Sequence, residues 1–187
     1  MKFCSDCGAD VSFKVPDGDN LPRYICQNCG LIHYQNPKIV TGCIPEWEDK
    51  ILLCKRAIEP RYGLWTLPAG FMENQESTDA AAARETLEEA NARVLRLRLY
   101  AVYNIPRIDQ VYILFRGQLQ DLDFSPGSES LDTRLFTHDQ IPWDELAFPV
   151  MTETLKRYYQ DRDSGSLTNL NGGSTGHTHF GSILDLR

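Results

Sequence analysis

The rhythm of hydrophobic positions changes at about residue 38. Before that point the chain is polar and cysteine-rich, with turn material at Val15-Pro16-Asp17-Gly18-Asp19-Asn20. So short a piece has too few apolar side chains to hold together without a staple. Beyond it, short apolar runs alternate with polar turns. Residues 39–44 and 51–57 read as two strands joined by a turn at Glu48-Asp49-Lys50, and a loop at 59–63 leads into Leu64-Trp65-Thr66-Leu67-Pro68-Ala69-Gly70. Further strands are predicted at 94–103, 111–119 and 133–136, and a closing helix at 148–159.

The clearest helical stretch is residues 77–90, STDAAAARETLEEA. Ser77 suits the N-cap, Asp79 suits the positive end of the helix dipole, and alanine has the highest helix propensity. Asn91 stands where a left-handed C′ residue is expected. At about 100° per residue, Glu85, Glu88 and Glu89 share one arc of about 100°, while Ala80, Ala83, Leu87 and Ala90 make an apolar stripe opposite, expected to face the core. Ala81 and Ala82 flank the acidic arc and are expected to leave room there for a ligand. Beyond Asp161 the chain turns Gly-, Ser- and Asn-rich, and a loose tail is expected. The predicted division is therefore 1–36, 37–162 and a tail at 163–187.

Composition changes this picture little. With 187 residues, 42% hydrophobic and 24% charged, one main domain plus a small appendage is the natural expectation. No apolar run is long enough to span a membrane, and Met1-Lys2-Phe3-Cys4 does not open an export signal, so a cytoplasmic protein is expected. The net charge of −7 argues against duplex nucleic acid as a partner, since that affinity rests on Lys and Arg neutralising phosphates. A small phosphorylated ligand needs only a local cluster of cations or metals.

Four of the six cysteines are organised as Cys4-x₂-Cys7 and Cys26-x₂-Cys29. Two such knuckles present four thiolates to a tetrahedral metal, and Gly8 and Gly30 follow them where the backbone must wrap it. A structural Zn²⁺ with no open position is expected, hence a zinc ribbon over residues 1–36. Cys43 and Cys54 lie in apolar stretches and read as small buried hydrophobes. His33, His138, His177 and His179 show no metal spacing, and His177-x-His179 is expected to be inert.

Three like charges on one helix face repel one another, yet converging carboxylate oxygens are what Mg²⁺ or Mn²⁺ prefers. Their wider spacing is more specific: Gly70-x₅-Glu76-x₇-Arg84-Glu85-Thr86-x-Glu88-Glu89-x-Asn91-Ala92. This closely resembles the Nudix box, G-x₅-E-x₇-R-E-U-x-E-E-x-G-U, where U is a bulky aliphatic residue. It departs from the box at Thr86, Asn91 and Ala92, none of them a charged position. The resemblance implies an α/β fold, an α/β/α sandwich around a mixed sheet, and hydrolysis of a pyrophosphate. It also implies that Glu85, Glu88 and Glu89 hold Mg²⁺ or Mn²⁺, with the Gly70 or Ala69 carbonyl as a further ligand. Arg84 would orient the glutamates and Glu76 would brace the preceding loop. Glu85 is one candidate for the general base; Glu129, in a downstream loop expected to be mobile, is the other.

The box handles the diphosphate and is silent on the rest of the substrate. Elsewhere, PDG at 16–18, YQNPK at 34–38, LLCKR at 52–56, GLWTLPAG at 63–70, PGSES at 126–130, RLF at 134–136 and LAF at 146–148 resemble plant-type FAD and ADP-ribose diphosphatases. Both substrates would yield AMP. A Cys₄ ribbon also occurs in NADH pyrophosphatases of the superfamily, but their SQPWPFPxS-type array has no counterpart here. Lys55, Arg56 and Arg61 are candidate phosphate-binding cations, and Phe71 and Tyr112 are candidate walls for a flat ring, with Trp65 and Tyr103 as further suppliers. The expected partner is a small nucleotide, with neither nucleic acid nor membrane; a homodimer is expected by analogy with related enzymes.

Overall fold

The computed structural model describes residues 1–167, 170 and 178–183. It divides into two compact units, residues 1–37 and the chain from Lys38 onward. The first unit is a three-stranded antiparallel sheet: β1 (Val11–Lys14), β2 (Arg23–Cys26) and β3 (Ile32–His33), in that order.

The second unit is built on one mixed sheet. Its strands are β4 (Lys38–Trp47), β5 (Lys50–Arg56), β6 (Trp65–Thr66), β7 (Ala69–Phe71), β8 (Val94–Ile105), β9 (Gln110–Leu119), β10 (Ser130–Phe136) and β11 (His179–Ser182). The order is β10-β5-β4-β9-β8-β11, with β6 paired to β5 and β7 to β4. The β4–β9 and β8–β11 pairs are parallel and the others antiparallel. Helices α1 (Thr78–Ala90) and α2 (Pro149–Asp163) cover opposite faces. Alternation along β5 shows why: Ile51 and Leu53 join a core with Val150, Met151 and Leu155 of α2, whereas Leu52 and Cys54 pack with Ala90 and Ala92 at the end of α1. This is the expected α/β sandwich.

A split in the sheet places the site. Strands β4 and β5 pair only at their hairpin end, through Glu46–Ile51 and Trp47–Lys50, and then diverge. Residues 65–71 fill the opening: β6 joins β5, β7 joins β4, and Leu67-Pro68 crosses between them. A Cβ on Gly42 would stand 2.5 Å from the Ala69 Cβ and 2.8 Å from the Pro68 carbonyl, so this close crossing needs glycine. The Ala69-Gly70 backbone is thereby presented to α1.

Two expectations are corrected. Ala80 and Leu87 are exposed, and the buried face of α1 is Ala81, Ala82, Glu85, Thr86, Glu89 and Ala90. The helix turns two glutamates toward the sheet, and Ala81 and Ala82 are small so that the helix can approach it. They leave no space for a ligand. The residues assigned to a loose tail, as far as they are described, also take part in the fold. Strand β11 extends the sheet alongside residues 101–104 of β8, and His179 Nε2 lies 2.6 Å from Asp161 Oδ2, to which Tyr100 also donates at 2.8 Å. His179 thus has a structural contact that the sequence did not suggest, and His177 lies outside the described residues.

Candidate active site

In the first unit the four cysteine sulfurs converge, every pair within 4.8 Å. Cys4 and Cys29 sulfurs are 3.8 Å apart and Cys7 and Cys26 sulfurs 3.4 Å. A tetrahedron with Zn–S bonds of about 2.3 Å has edges of about 3.8 Å, so the four thiols fit a structural Zn²⁺. Gly8 and Gly30 take φ of +73° and +74°, the conformation glycine supplies after each knuckle. The Cys29 and Asn28 amides both point at Cys26 Sγ at 3.4 Å, and with Cys29 as the larger influence they hold that thiol down to about 6. Cys43 and Cys54, by contrast, are fully buried, and burial pushes both thiols well up. They are inert packing.

The second cluster lies between α1 and the split. Ser77 occupies the N-cap position of α1, but its hydroxyl donates to Asp79 instead of capping a backbone amide. Arg84, about two turns further on, ties the box together. Its Nε and one terminal nitrogen grip Glu76 at 3.0 and 2.8 Å, that nitrogen also reaches the Phe71 carbonyl at 3.2 Å, and the other spans Glu85 at 2.8 Å and Glu88 at 3.0 Å. Glu76 in turn accepts from the Glu73 amide at 2.6 Å. The paired guanidinium, with that amide second, holds the Glu76 carboxyl down at about 2. This accounts for a glutamate and an arginine eight residues apart: together they close the loop before the helix.

The three glutamates of the helix differ in their surroundings. Glu88 is exposed and rests against Arg84. Glu85 is buried, and its carboxyl is raised chiefly by burial, Arg84 opposing and Glu88 and Glu129 adding to it. Glu89 is buried deeper, and desolvation pushes its carboxyl up to about 8. The Glu85 and Glu129 charges add to that, against Arg56 and a hydrogen bond from the Ala69 amide. Glu85, Glu89, Glu129 and Arg56 thus form one electrostatic unit. Among the described residues the four cysteines are the one group of three or more whose ligand atoms converge closely enough to hold a metal, so the carboxylates are drawn together less tightly.

Glu129 reaches this unit through its loop. The Ala57 amide donates to the Glu129 carbonyl at 2.8 Å, and Ser125 and Gly127 amides donate to the Ala90 and Glu89 carbonyls at 2.9 Å each. The loop expected to be mobile is therefore hydrogen-bonded at both ends. Asn91, a residue for which the sequence suggested only a helix ending, also contributes here. Its signal was present, an amide side chain where the Nudix box has glycine.

The remaining candidates are more scattered. Arg56 is buried, donates to the Pro60 carbonyl at 2.9 Å and stacks 5.1 Å from the Phe148 ring. Lys55 lies 5.7 Å over Trp65. Arg61 lines a separate cleft of about 320 Å³ with Leu146, Ala147, Pro149, Thr152 and Glu153, and none of the box carboxylates line it. Phe71 is exposed, with the Lys38 ammonium 5.0 Å from its ring. Tyr112, Trp65 and Tyr103 are packed into the core instead.

Comparisons with known proteins agree with this layout. Residues 2–35 match the family model described as Nudix N-terminal, a zinc ribbon, and residues 36–158 match that of the NUDIX domain. A crystal structure of a NUDIX hydrolase from Nitrosomonas europaea is 57% identical, with a TM-score of 0.91, covering 99% of this chain and 100% of that one. An ADP-ribose pyrophosphatase of Methanocaldococcus jannaschii is 30% identical over 119 residues, 62% of this chain and 69% of that protein. An NAD-capped RNA hydrolase NudC of Photobacterium profundum is 27% identical over 141 residues, 73% of this chain but 49% of its own length. The chain thus spans about half the length of that relative.

Proposed function

The chain belongs to the Nudix family of hydrolases, and from that membership we propose that it cleaves the pyrophosphate of ADP-ribose or FAD, releasing AMP. One observation carries the chemistry: Glu85 and Glu89 are buried beside Glu88 and Glu129, and these four carboxylates face only two cations, Arg56 and an Arg84 that is shared with Glu76. Such a group calls for divalent cations, and Glu85, Glu88 and Glu89, with the Ala69 or Gly70 carbonyl, are the residues to hold Mg²⁺ or Mn²⁺. When bound, these ions supply Lewis-acid stabilisation of the phosphoryl oxygens and make a nearby water more acidic. Glu129, or failing it Glu85, takes the proton from water as its oxygen bonds to phosphorus and the bridging P–O bond breaks. Arg56 offsets the charge that builds on the leaving phosphate. Arg84 and Glu76 keep the helix and its loop in register.

The likeness to an ADP-ribose pyrophosphatase supports the substrate, as do the sequence segments shared with FAD and ADP-ribose diphosphatases. Phe71 offers the open aromatic face that a flavin or adenine ring needs. A second reading, NADH or an NAD-capped end, draws on the likeness to NudC. Against it, the NADH-type array is missing, and the nearest proline-containing segment is a single 3₁₀ turn, Pro106–Ile108. The test is to incubate the protein with ADP-ribose, FAD, NADH and a nucleoside triphosphate in Mg²⁺ or Mn²⁺ and quantify AMP, with Glu88→Gln as background. Faster release from ADP-ribose or FAD than from NADH, lost in the variant, is the expected result. Preference for NADH would transfer the proposal to the second reading; tight binding without turnover would make the protein a nucleotide sensor.

Gly70→Ala gives a finer test of Glu85. A Cβ there would lie 2.4–2.6 Å from all three atoms of the Glu85 carboxyl group. The carboxyl is the far end of a flexible side chain, so it swings aside and the fold survives. Displacing it by about 1 Å is expected to lower kcat on the order of 10²-fold with little change in melting temperature. A variant with wild-type turnover would remove Glu85 from the reaction.

A further inference from the structure

We infer that Asn91 is a positioning residue: its side-chain amide clamps the 124–129 loop against the end of α1 and so sets Glu129 opposite Glu85 and Glu89. The inference rests on the functional reading above only for the consequence of that placement; the clamp itself is geometric. Asn91 takes φ 48° and ψ 23°, and its amide N–H returns to the Leu87 carbonyl at 2.8 Å, which ends the helix. Glycine would do that equally well. What glycine lacks is the side chain. Asn91 Nδ2 lies 3.2 Å from three loop oxygens, the Ser125 carbonyl, the Ser125 hydroxyl and the Pro126 carbonyl, so its two N–H donors are shared among them.

The loop is shaped to receive this clamp. Ser125 and Gly127 amides cap the Ala90 and Glu89 carbonyls, two of the orphan acceptors at the helix end. A Cβ on Gly127 would stand 1.7 Å from the Glu88 carbonyl oxygen, a backbone atom that cannot step aside. Ser130 N–H closes onto the Gly127 carbonyl at 3.1 Å, and the Glu129 carbonyl is held by Ala57 at the end of β5. Between these anchors the Glu129 backbone has little freedom. Glu129 stands between Gly127, whose amide is bonded to the Glu89 carbonyl, and Ser130, which pairs with Arg56 at the end of β5, and that places it beside the cluster. Asn91 touches no reacting atom; it acts through the loop.

Two variants separate clamp from cap. Asn91→Gly keeps the left-handed ending and removes the amide, and Asn91→Asp keeps size and backbone preference but replaces both donors with a charge facing two carbonyls. For both, melting temperature should stay near wild type while kcat on ADP-ribose or FAD falls roughly 10-fold or more at unchanged KM. Hydrogen exchange at the Ser125 and Gly127 amides should quicken by roughly 10-fold as the loop loosens. Wild-type exchange and kcat in Asn91→Gly would reduce Asn91 to a helix ending and overturn the inference, even if Asn91→Asp were impaired. Should the wild-type protein hydrolyse no pyrophosphate at all, the functional reading fails, and the exchange rates still decide whether the clamp exists.

Discussion

Glu89→Gln is expected to lower hydrolysis in Mg²⁺ or Mn²⁺ by about 10³-fold while making the metal-free domain more stable at pH 8. The loss of rate follows if cation-derived charge stabilisation worth several kcal/mol depends on this carboxylate. The gain in stability follows from burial. In the folded protein free of Mg²⁺ and Mn²⁺ the Glu89 carboxyl is pushed up to about 8, from an ordinary value of 4.5. A carboxyl raised on folding binds its proton more tightly in the native state than in the unfolded chain. Its contribution to stability therefore falls as pH rises through that window, from about 4.5 to about 8. Below the window there is no cost; above it the cost is full and amounts to a few kcal/mol at most. Glutamine does not titrate, so the variant escapes it. Urea unfolding at pH 5 and pH 8, with zinc retained, should show the difference between variant and wild type shifting in favour of the variant at the higher pH. Added Mg²⁺ should then restore the wild type and leave the variant unchanged. If the two proteins keep a constant difference between pH 5 and 8, Glu89 carries no such strain and is not a buried ligand awaiting a cation.

That strain also explains which parts of the structure the sequence could reveal. The box was legible because charged residues at fixed spacing carry their meaning without knowledge of packing; Arg84 meets Glu76, Glu85 and Glu88 as the motif implies. The orientation of α1 was not. A hydrophobic stripe predicts the buried face only when charges face water. Here Glu85 and Glu89 turn inward to meet Arg84, Arg56 and the Ala69 amide, and Leu87 is exposed in exchange. Strands β6 and β7 are two and three residues long, and they exist because β4 and β5 diverge, a property of the sheet that no local pattern records. Strand β11 escaped notice for a similar reason. His179-Phe180-Gly181-Ser182 has no apolar alternation, and its pairing with β8 and the Asp161 contact are both remote in sequence. Glycines 42 and 127 were equally silent, since their role is close approach to backbone from another part of the chain.

Removing zinc, or replacing Cys26 with Ser, is expected to unfold residues 1–37 while the sheet from Lys38 onward keeps its slow-exchanging amides. The first unit has no hydrophobic core. Its buried side chains are Cys4, Pro16 and Cys26, and Phe3, Phe13, Val15, Leu21, Leu31 and Tyr34 are all exposed. Burial of apolar surface cannot offset the entropy of ordering about 37 residues at roughly 1–2 kcal/mol each. A metal bond set worth about 10–16 kcal/mol is then the largest single term holding the unit together. The second unit has its own core on both faces of the sheet. A chelator titration that counts released thiols, read beside hydrogen exchange of β1 and β2, should show protection vanish as four thiols appear. If the amides of Val11–Lys14 and Arg23–Cys26 stay protected after all four thiols react, the ribbon is held by packing and the metal is incidental. If the strands beyond Lys38 melt with it, the two units fold as one.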